Sequence, residues 1–278
     1  MRSLLIIIFC FLLFDANAQM DSFALKFPVD SNYFSSFDGS KIYYEIRGKG
    51  KPVLLVHGFI SNSTSWKRTA LYTDLLNDGY KVILLDMRGN GKSDKPHDTA
   101  AYENDAEAKD IMKLMSLLRI KHYSAIGYSR GSIITARLLV LDKRVQNAVL
   151  GGMGLDFTNT EWPRRKMFYR ALMGDSIPQL KGAVDYVKSQ GLDQLALAYL
   201  QKAQPSTSKE MLTKVKQPVL VISGDKDSDN GSAAELAKVL PNSSIVTTPG
   251  DHNHASATPE FSKEILIFLK RHKFLFIK

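Results

Sequence analysis

The stretch HYSAIGYSRG, residues 122–131, sets Ser129 between two glycines, Gly127 and Gly131, directly after a short apolar run. Two readings fit it. One is a plain turn. The other is a strained elbow that lifts a serine out between a buried strand and a helix. In an elbow, side chains two places either side of the serine would collide, and the G-x-S-x-G spacing removes them. Ser132, also small, lets the following helix lie close to the sheet. The choice rests on what flanks the stretch and on which partners the chain supplies for the hydroxyl.

Working outward, residues 123–126 (YSAI) form a short strand-like run, and 132–141 carries helical spacing. The alternation fills most of the chain. Lys41–Arg47 (KIYYEIR), Pro52–Val56 (PVLLV), Lys81–Leu85 (KVILL) and 145–150 read as strands, with helices predicted over 64–77 and 102–118. Between about 155 and 210 the rhythm breaks into a stretch rich in Arg, Lys, Gln and helix formers, with no buried-strand run. It resumes with 218–222 (PVLVI), a helix near 232–239, a strand at 244–247 and a closing helix at 259–272. Strand–helix alternation implies right-handed crossovers and a mainly parallel sheet. The expected fold class is therefore α/β, a mainly parallel sheet flanked by helices with a small helical cap inserted over about 155–210. Ligands of such sheets bind beyond the carboxyl ends of the strands. Those ends deliver His57-Gly58-Phe59, Ser129, Asp227 and His252.

The chain of 278 residues is 44% hydrophobic and 23% charged, enough apolar side chain to fill a core and too little charge for a disordered segment. Its formal net charge of +9 is spread along the sequence without a nucleic-acid motif, so it reads as solubility, and no nucleic-acid partner is expected. The first 18 residues read as a secretory signal: Arg2, an apolar block from Leu4 to Phe14, then Ala16-Asn17-Ala18 ahead of cleavage. The block is about half the roughly 20 residues of a spanning helix, so no stable membrane insertion is expected after cleavage, and residues 19–278 form an exported domain, periplasmic or secreted. Cys10, the only cysteine, leaves with the signal. The mature chain would then have no disulfide, thiol nucleophile or thiolate metal site, and neither a metal nor a cofactor is expected.

A serine hydroxyl needs a nearby base, most often a histidine that a carboxylate orients. Of the six histidines, His252 and His254 are the candidates, in TPGDHNHASATPEF between the last strand and the last helix.

With these stretches assembled, the chain resembles the α/β-hydrolase fold superfamily, in its serine-nucleophile branch of esterases and small-molecule hydrolases. The matching segments are LLVHGF (54–59), ILLDMRGNGKSDKP (83–96), AIGYSRG (125–131), LVISGDKD (220–227) and PGDHNHASATPEF (249–261). The resemblance implies Ser129 as nucleophile, Asp227 as the acid and His252 as the base, with Asp225 and Asp156 as alternative acids and His254 as an alternative base. It implies an oxyanion hole from the backbone N–H groups of Phe59 and Arg130, and a loop-shaping role for His57. Asp86, Arg88 and the glycines near Lys92, which tempt a phosphate-loop reading, would brace the loop beside the elbow.

The expected activity is hydrolysis of carboxylic esters of small or medium molecules through an acyl-enzyme. Carbon–carbon bond hydrolysis or lactone opening by the same triad is the alternative, as is a ligand-binding protein without turnover. In the cap, EWPRRKMFYRAL (161–172) predicts a helix opening at Pro163. Its basic residues are either a solvated face or a contact in which Arg164 or Arg165, with Trp162, meets an acidic substrate group. Asn62, Asn230 and Asn242 stand in N-x-S/T sequons.

Overall fold

The computed structural model describes residues 26–274. The expected signal peptide and Cys10 lie outside them. Eight strands form one sheet: β1 (Asp30–Ser35), β2 (Lys41–Arg47), β3 (Pro52–Val56), β4 (Lys81–Leu85), β5 (Tyr123–Tyr128), β6 (Val145–Gly151), β7 (Val219–Gly224) and β8 (Ser243–Thr248). Their order is β1-β2-β4-β3-β5-β6-β7-β8. β1 and β2 form an antiparallel hairpin and β2 pairs antiparallel with β4, whereas every pairing from β4 through β3 to β8 is parallel. This is the α/β-hydrolase arrangement.

Helices cover both faces. They are α1 (Thr64–Lys67), α2 (Ala70–Asn77), α3 (Ala106–Leu117), α4 (Arg130–Leu141), α5 (Pro163–Leu172), α6 (Lys181–Ser189), α7 (Gln194–Lys202), α8 (Lys209–Leu212), α9 (Ala233–Val239) and α10 (Pro259–Arg271). Alternate residues of one strand serve opposite faces. Leu54 and Val56 pack with Ile111, Leu114, Ile133, Ile134 and Leu138 of α3 and α4. Val53 and Leu55 pack with Leu71, Leu75, Phe261, Ile265 and Phe268 of α2 and α10. That double burial explains why PVLLV is apolar at every position.

Between β6 and β7 the chain leaves the sheet and forms α5, α6 and α7, which close a small core of their own around Leu172, Val187, Ala196, Leu197 and Leu200. Phe59 and Ile60, from the loop after β3, pack against it, so this helical segment sits over the carboxyl ends of the strands.

The elements differ from the sequence reading in a few places, each with a local cause. The helix expected over 64–77 is broken because Thr69 is extended (φ −97°, ψ 151°) and caps α2, accepting from the Tyr72 N–H. The helix expected from 102 begins at Ala106, because Asn104 and Asp105 take left-handed backbone (φ 55° and 62°). Strand β1 escapes the apolar-run criterion because it lies at an edge, with Phe34 its one buried residue. The helix expected from 132 starts at Arg130, directly after the serine.

The loop after β4 is braced from inside. Arg88, fully buried, forks onto Asp110 of α3 with two bonds of 2.7 Å and reaches Asp38 of the β1–β2 turn at 2.7 Å. Asp86 accepts the N–H groups of Ser63 (2.8 Å) and Lys92 (2.7 Å), and a Cβ on Gly91 would fall 2.1 Å from its Oδ2. Breaking such a pair leaves a buried carboxylate unanswered. Arg88→Met is therefore expected to lower the unfolding free energy by about 3–5 kcal/mol, as read from urea denaturation.

Candidate active site

Ser129 stands where β5 ends and α4 begins, with φ 53° and ψ −123°. A non-glycine residue there carries strain on the order of 1–3 kcal/mol. The glycines on either side are steric requirements. A Cβ on Gly127 would lie 2.2 Å from the Gly131 carbonyl oxygen, and one on Gly131 would lie 2.1 Å from the Val56 carbonyl oxygen. The Ser132 hydroxyl fits the same crossing, 2.7 Å from the Gly151 oxygen and 3.0 Å from that of Gly127. The opening stretch is thus an elbow in geometry, not a plain turn.

Three side chains meet at its apex. Ser129 Oγ lies 3.0 Å from His252 Nε2, and His252 Nδ1 lies 2.9 Å from Asp227 Oδ2. The His252 side chain is 15% exposed and that of Asp227 3%, so the carboxylate is shielded behind the ring while the ring's far edge faces the serine. His252 rides on the loop after β8, and α10 follows as soon as Thr258 caps it and Pro259 opens its first turn. Asp251 holds the loop by accepting the N–H groups of Asn253 and His254 at 2.9 and 3.1 Å.

The remaining sequence candidates are placed elsewhere. Asp225 accepts the Gly250 N–H at 2.9 Å and pins the loop below the site. The Asp156 carboxyl packs against Gly231, where a Cβ would come within 2.6 Å of its Cγ. His254 points outward and pairs with Asp251 at 2.6 Å. His57 is buried and fixed at both nitrogens: Nδ1 lies 2.8 Å from the Gly58 carbonyl, and Nε2 accepts the Met87 N–H at 3.0 Å. Burial holds its pKa below the ordinary value, so it is a neutral brace between the loops after β3 and β4.

Two neighbours of the imidazole escaped the sequence reading. Tyr128 donates its hydroxyl to the His252 carbonyl at 2.7 Å, with the two rings 5.4 Å apart. Asn230, noted only as a sequon, is buried and donates to the Gly152 carbonyl, and its Nδ2 lies 3.4 and 3.5 Å from the two ring nitrogens. That near equality puts the amide over the ring face. The sequence does not mark these roles, because Tyr128 at the end of β5 and Asn230 each reach His252 from far along the chain.

Among the described residues, neither the Phe59 nor the Arg130 N–H meets a protein acceptor. The Arg130 N–H is one of the free donors of the first turn of α4. A cavity of about 490 Å³ opens between the serine and the helical segment, with Phe59, Met153, Trp162 and Phe168 among its walls. A smaller one of about 220 Å³ lies on the Trp66 side of Ser129. The serine therefore stands between two compartments. Chemically, the arrangement can take a proton from a serine hydroxyl and hold the resulting imidazolium against a carboxylate.

Fold and site together are those of the α/β-hydrolase fold: residues 51–183, just under half of the chain, match the family model described as alpha/beta hydrolase fold. A non-heme chloroperoxidase of Streptomyces lividans is 26% identical over 272 residues, covering 84% of this chain and 97% of that one. A Synechocystis sp. relative is 41% identical over 111 residues, and the chain spans 39% of that relative's length. Among solved structures, a bromoperoxidase from Bacillus anthracis superimposes with a TM-score of 0.72 at 24% identity, covering 87% of this chain and 100% of that one. An esterase from Exiguobacterium antarcticum does so with a TM-score of 0.68 at 21% identity, covering 86% and 99%.

The elbow has a measurable consequence. Gly127→Ala puts a methyl group where backbone already stands, and the unfolding free energy is expected to fall by about 1–3 kcal/mol, as measured by urea denaturation.

Proposed function

We propose that this hydrolase is an exported serine hydrolase acting on carboxylic esters of small or medium molecules. The observation that carries the reading is the unbroken chain from Ser129 Oγ through His252 to Asp227, at 3.0 and 2.9 Å, on a serine held at positive φ. In this reading His252 takes the Ser129 proton as Oγ attacks the acyl carbon. Asp227 fixes the tautomer with the proton on Nδ1 and stabilises the imidazolium. The Phe59 and Arg130 N–H groups receive the developing oxyanion. The imidazolium then gives its proton to the leaving alcohol, and a water deprotonated by His252 releases the acid. Export is supported by the basic start, apolar block and Ala16-Asn17-Ala18 of the leader.

A fluorophosphonate probe tests the serine. Wild type is expected to gain one adduct mass, with loss of fluoride, and Ser129→Ala none; a folded wild type that stays unlabelled would sink the reading in favour of a binding protein. Asp227→Asn should retain the fold but lose kcat/KM for p-nitrophenyl esters by about 10⁴-fold, because the imidazole is then held in the wrong tautomer. Intact mass of protein recovered from the exported fraction should correspond to a chain that begins at Gln19.

A further inference from the structure

The cavity beside Ser129 has a charge that the hydrolytic chemistry leaves unused. Three guanidinium groups reach its wall: Arg130 from the elbow, and Arg164 and Arg165 from the first turn of α5. Arg130 is answered by Glu107 of α3, with Nη2 2.5 Å from Oε2 and both side chains buried. Arg164 lies 3.5 Å from Asp229 at the exposed mouth, a contact at the outer limit of an ion pair. Arg165 differs from both. It is half-buried, and its Nε, Nη1 and Nη2 donate to the carbonyls of Gln201, Thr160 and Lys202, the first at 2.7 Å and the second at 3.2 Å. No carboxylate lies within ion-pair distance of it among the described residues. Carbonyl dipoles orient a guanidinium but do not cancel its charge. Burial and then the charge of Arg130 push the Arg165 pKa down, against a smaller upward pull from Glu161, a carboxylate already paired with Lys166.

The α5 start adds to the same field. It has no acidic residue in its first turn and no side-chain cap at Trp162. Asp227, the other carboxylate near the serine, is shielded behind His252 and bonded to its ring. The cavity wall thus holds one more guanidinium than carboxylates to answer it, within about 490 Å³ that also contains Ser129. A half-buried cation of this kind is stabilised when an anion joins it, and a carboxylate matches the planar fork of arginine.

We propose that the substrate carries an ionised carboxylate, besides the bond to be split, which enters the cavity under α5 and becomes the missing counterion of Arg165. Resting on the serine hydrolase reading, this names the substrate class as monoanionic esters or lactones, such as half-esters of dicarboxylic acids, rather than simple fatty-acid esters. Of the two cap arginines singled out in the sequence, Arg165 is the one the observations favour, because Arg164 already has Asp229 and open solvent.

The test compares p-nitrophenyl hydrogen glutarate with p-nitrophenyl valerate, which has the same chain length and no second acid. Wild type is expected to favour the glutarate by about tenfold or more in kcat/KM, mainly through KM, and the preference should shrink as sodium chloride is raised. Arg165→Gln should reduce the glutarate-to-valerate ratio about tenfold, and Arg165→Lys should reduce it less. The ratio is the readout because any general loss from a disturbed cap cancels in it. Equal turnover of the two esters by wild type overturns the inference, as does an Arg165→Gln variant that loses both equally. A binding arm on Ser129→Ala, titrated calorimetrically with monomethyl and dimethyl glutarate, separates the two readings. Selective binding of the monoanion with no turnover of either ester by wild type would keep the anion site and sink the hydrolase reading. Turnover without selectivity, and no preferential binding, would keep the hydrolase reading and sink the anion site.

Discussion

The close crossing of three backbone segments governs this structure. The first residues of α4 lie so near the end of β3 that Gly131 touches the Val56 carbonyl, while Gly127 at the end of β5 touches Gly131 itself. No side chain fits between them, so the chain turns sharply at Ser129 and the residue at the apex takes the strained φ. The same contact fixes the first turn of α4 against β3, the strand that runs on into His57-Gly58-Phe59. Strain on the order of 1–3 kcal/mol persists because more is gained below it. Ile133, Ile134 and Leu138 of α4 are buried on the sheet, each contributing roughly 1.5–3 kcal/mol.

Around this crossing the interior is unusually charged, in an ordered way. Glu107 and Asp110 stand one turn apart on α3, and each receives a buried arginine. Arg130 comes from the elbow and Arg88 from the loop after β4. Buried pairs of this kind contribute little net stability compared with well-packed apolar residues. They do restrict geometry, since an arginine fork that misses its carboxylate leaves two charges stranded. One face of α3 therefore sets where both loops beside the serine can lie. His57 does similar work without charge, joining the loops after β3 and β4 through its two nitrogens.

Much of this was legible in the sequence because it depends on local rules. Continuous apolar runs marked β3, β4 and β7, since a strand covered on both faces has few polar positions to spare, while β5 carries buried Ser124 within a shorter run. The glycine spacing marked the elbow, because the steric reason lies within five residues. The order of strand ends, with the family resemblance, pointed to Ser129, Asp227 and His252, which the fold brings together. Edge strand β1 was illegible, having little to bury. Helix starts were misplaced where Thr69 and Asp105 adopt non-helical backbone. Asn230, Tyr128 and the pairing of Arg130 with Glu107 left no trace at all, because each joins residues far apart in the chain and obeys no spacing.

The helical segment over the site has its own core and leaves the sheet between β6 and β7, which are neighbours in it. It is carried on the crossover between these two parallel strands, which the sheet pairs whatever lies between them. Residues of α5 and α7 can drift, lengthen or be exchanged while the elbow, the histidine loop and the buried arginines keep their places. Selection can in this way retune what the cavity accepts at a separate rate from the machinery below it.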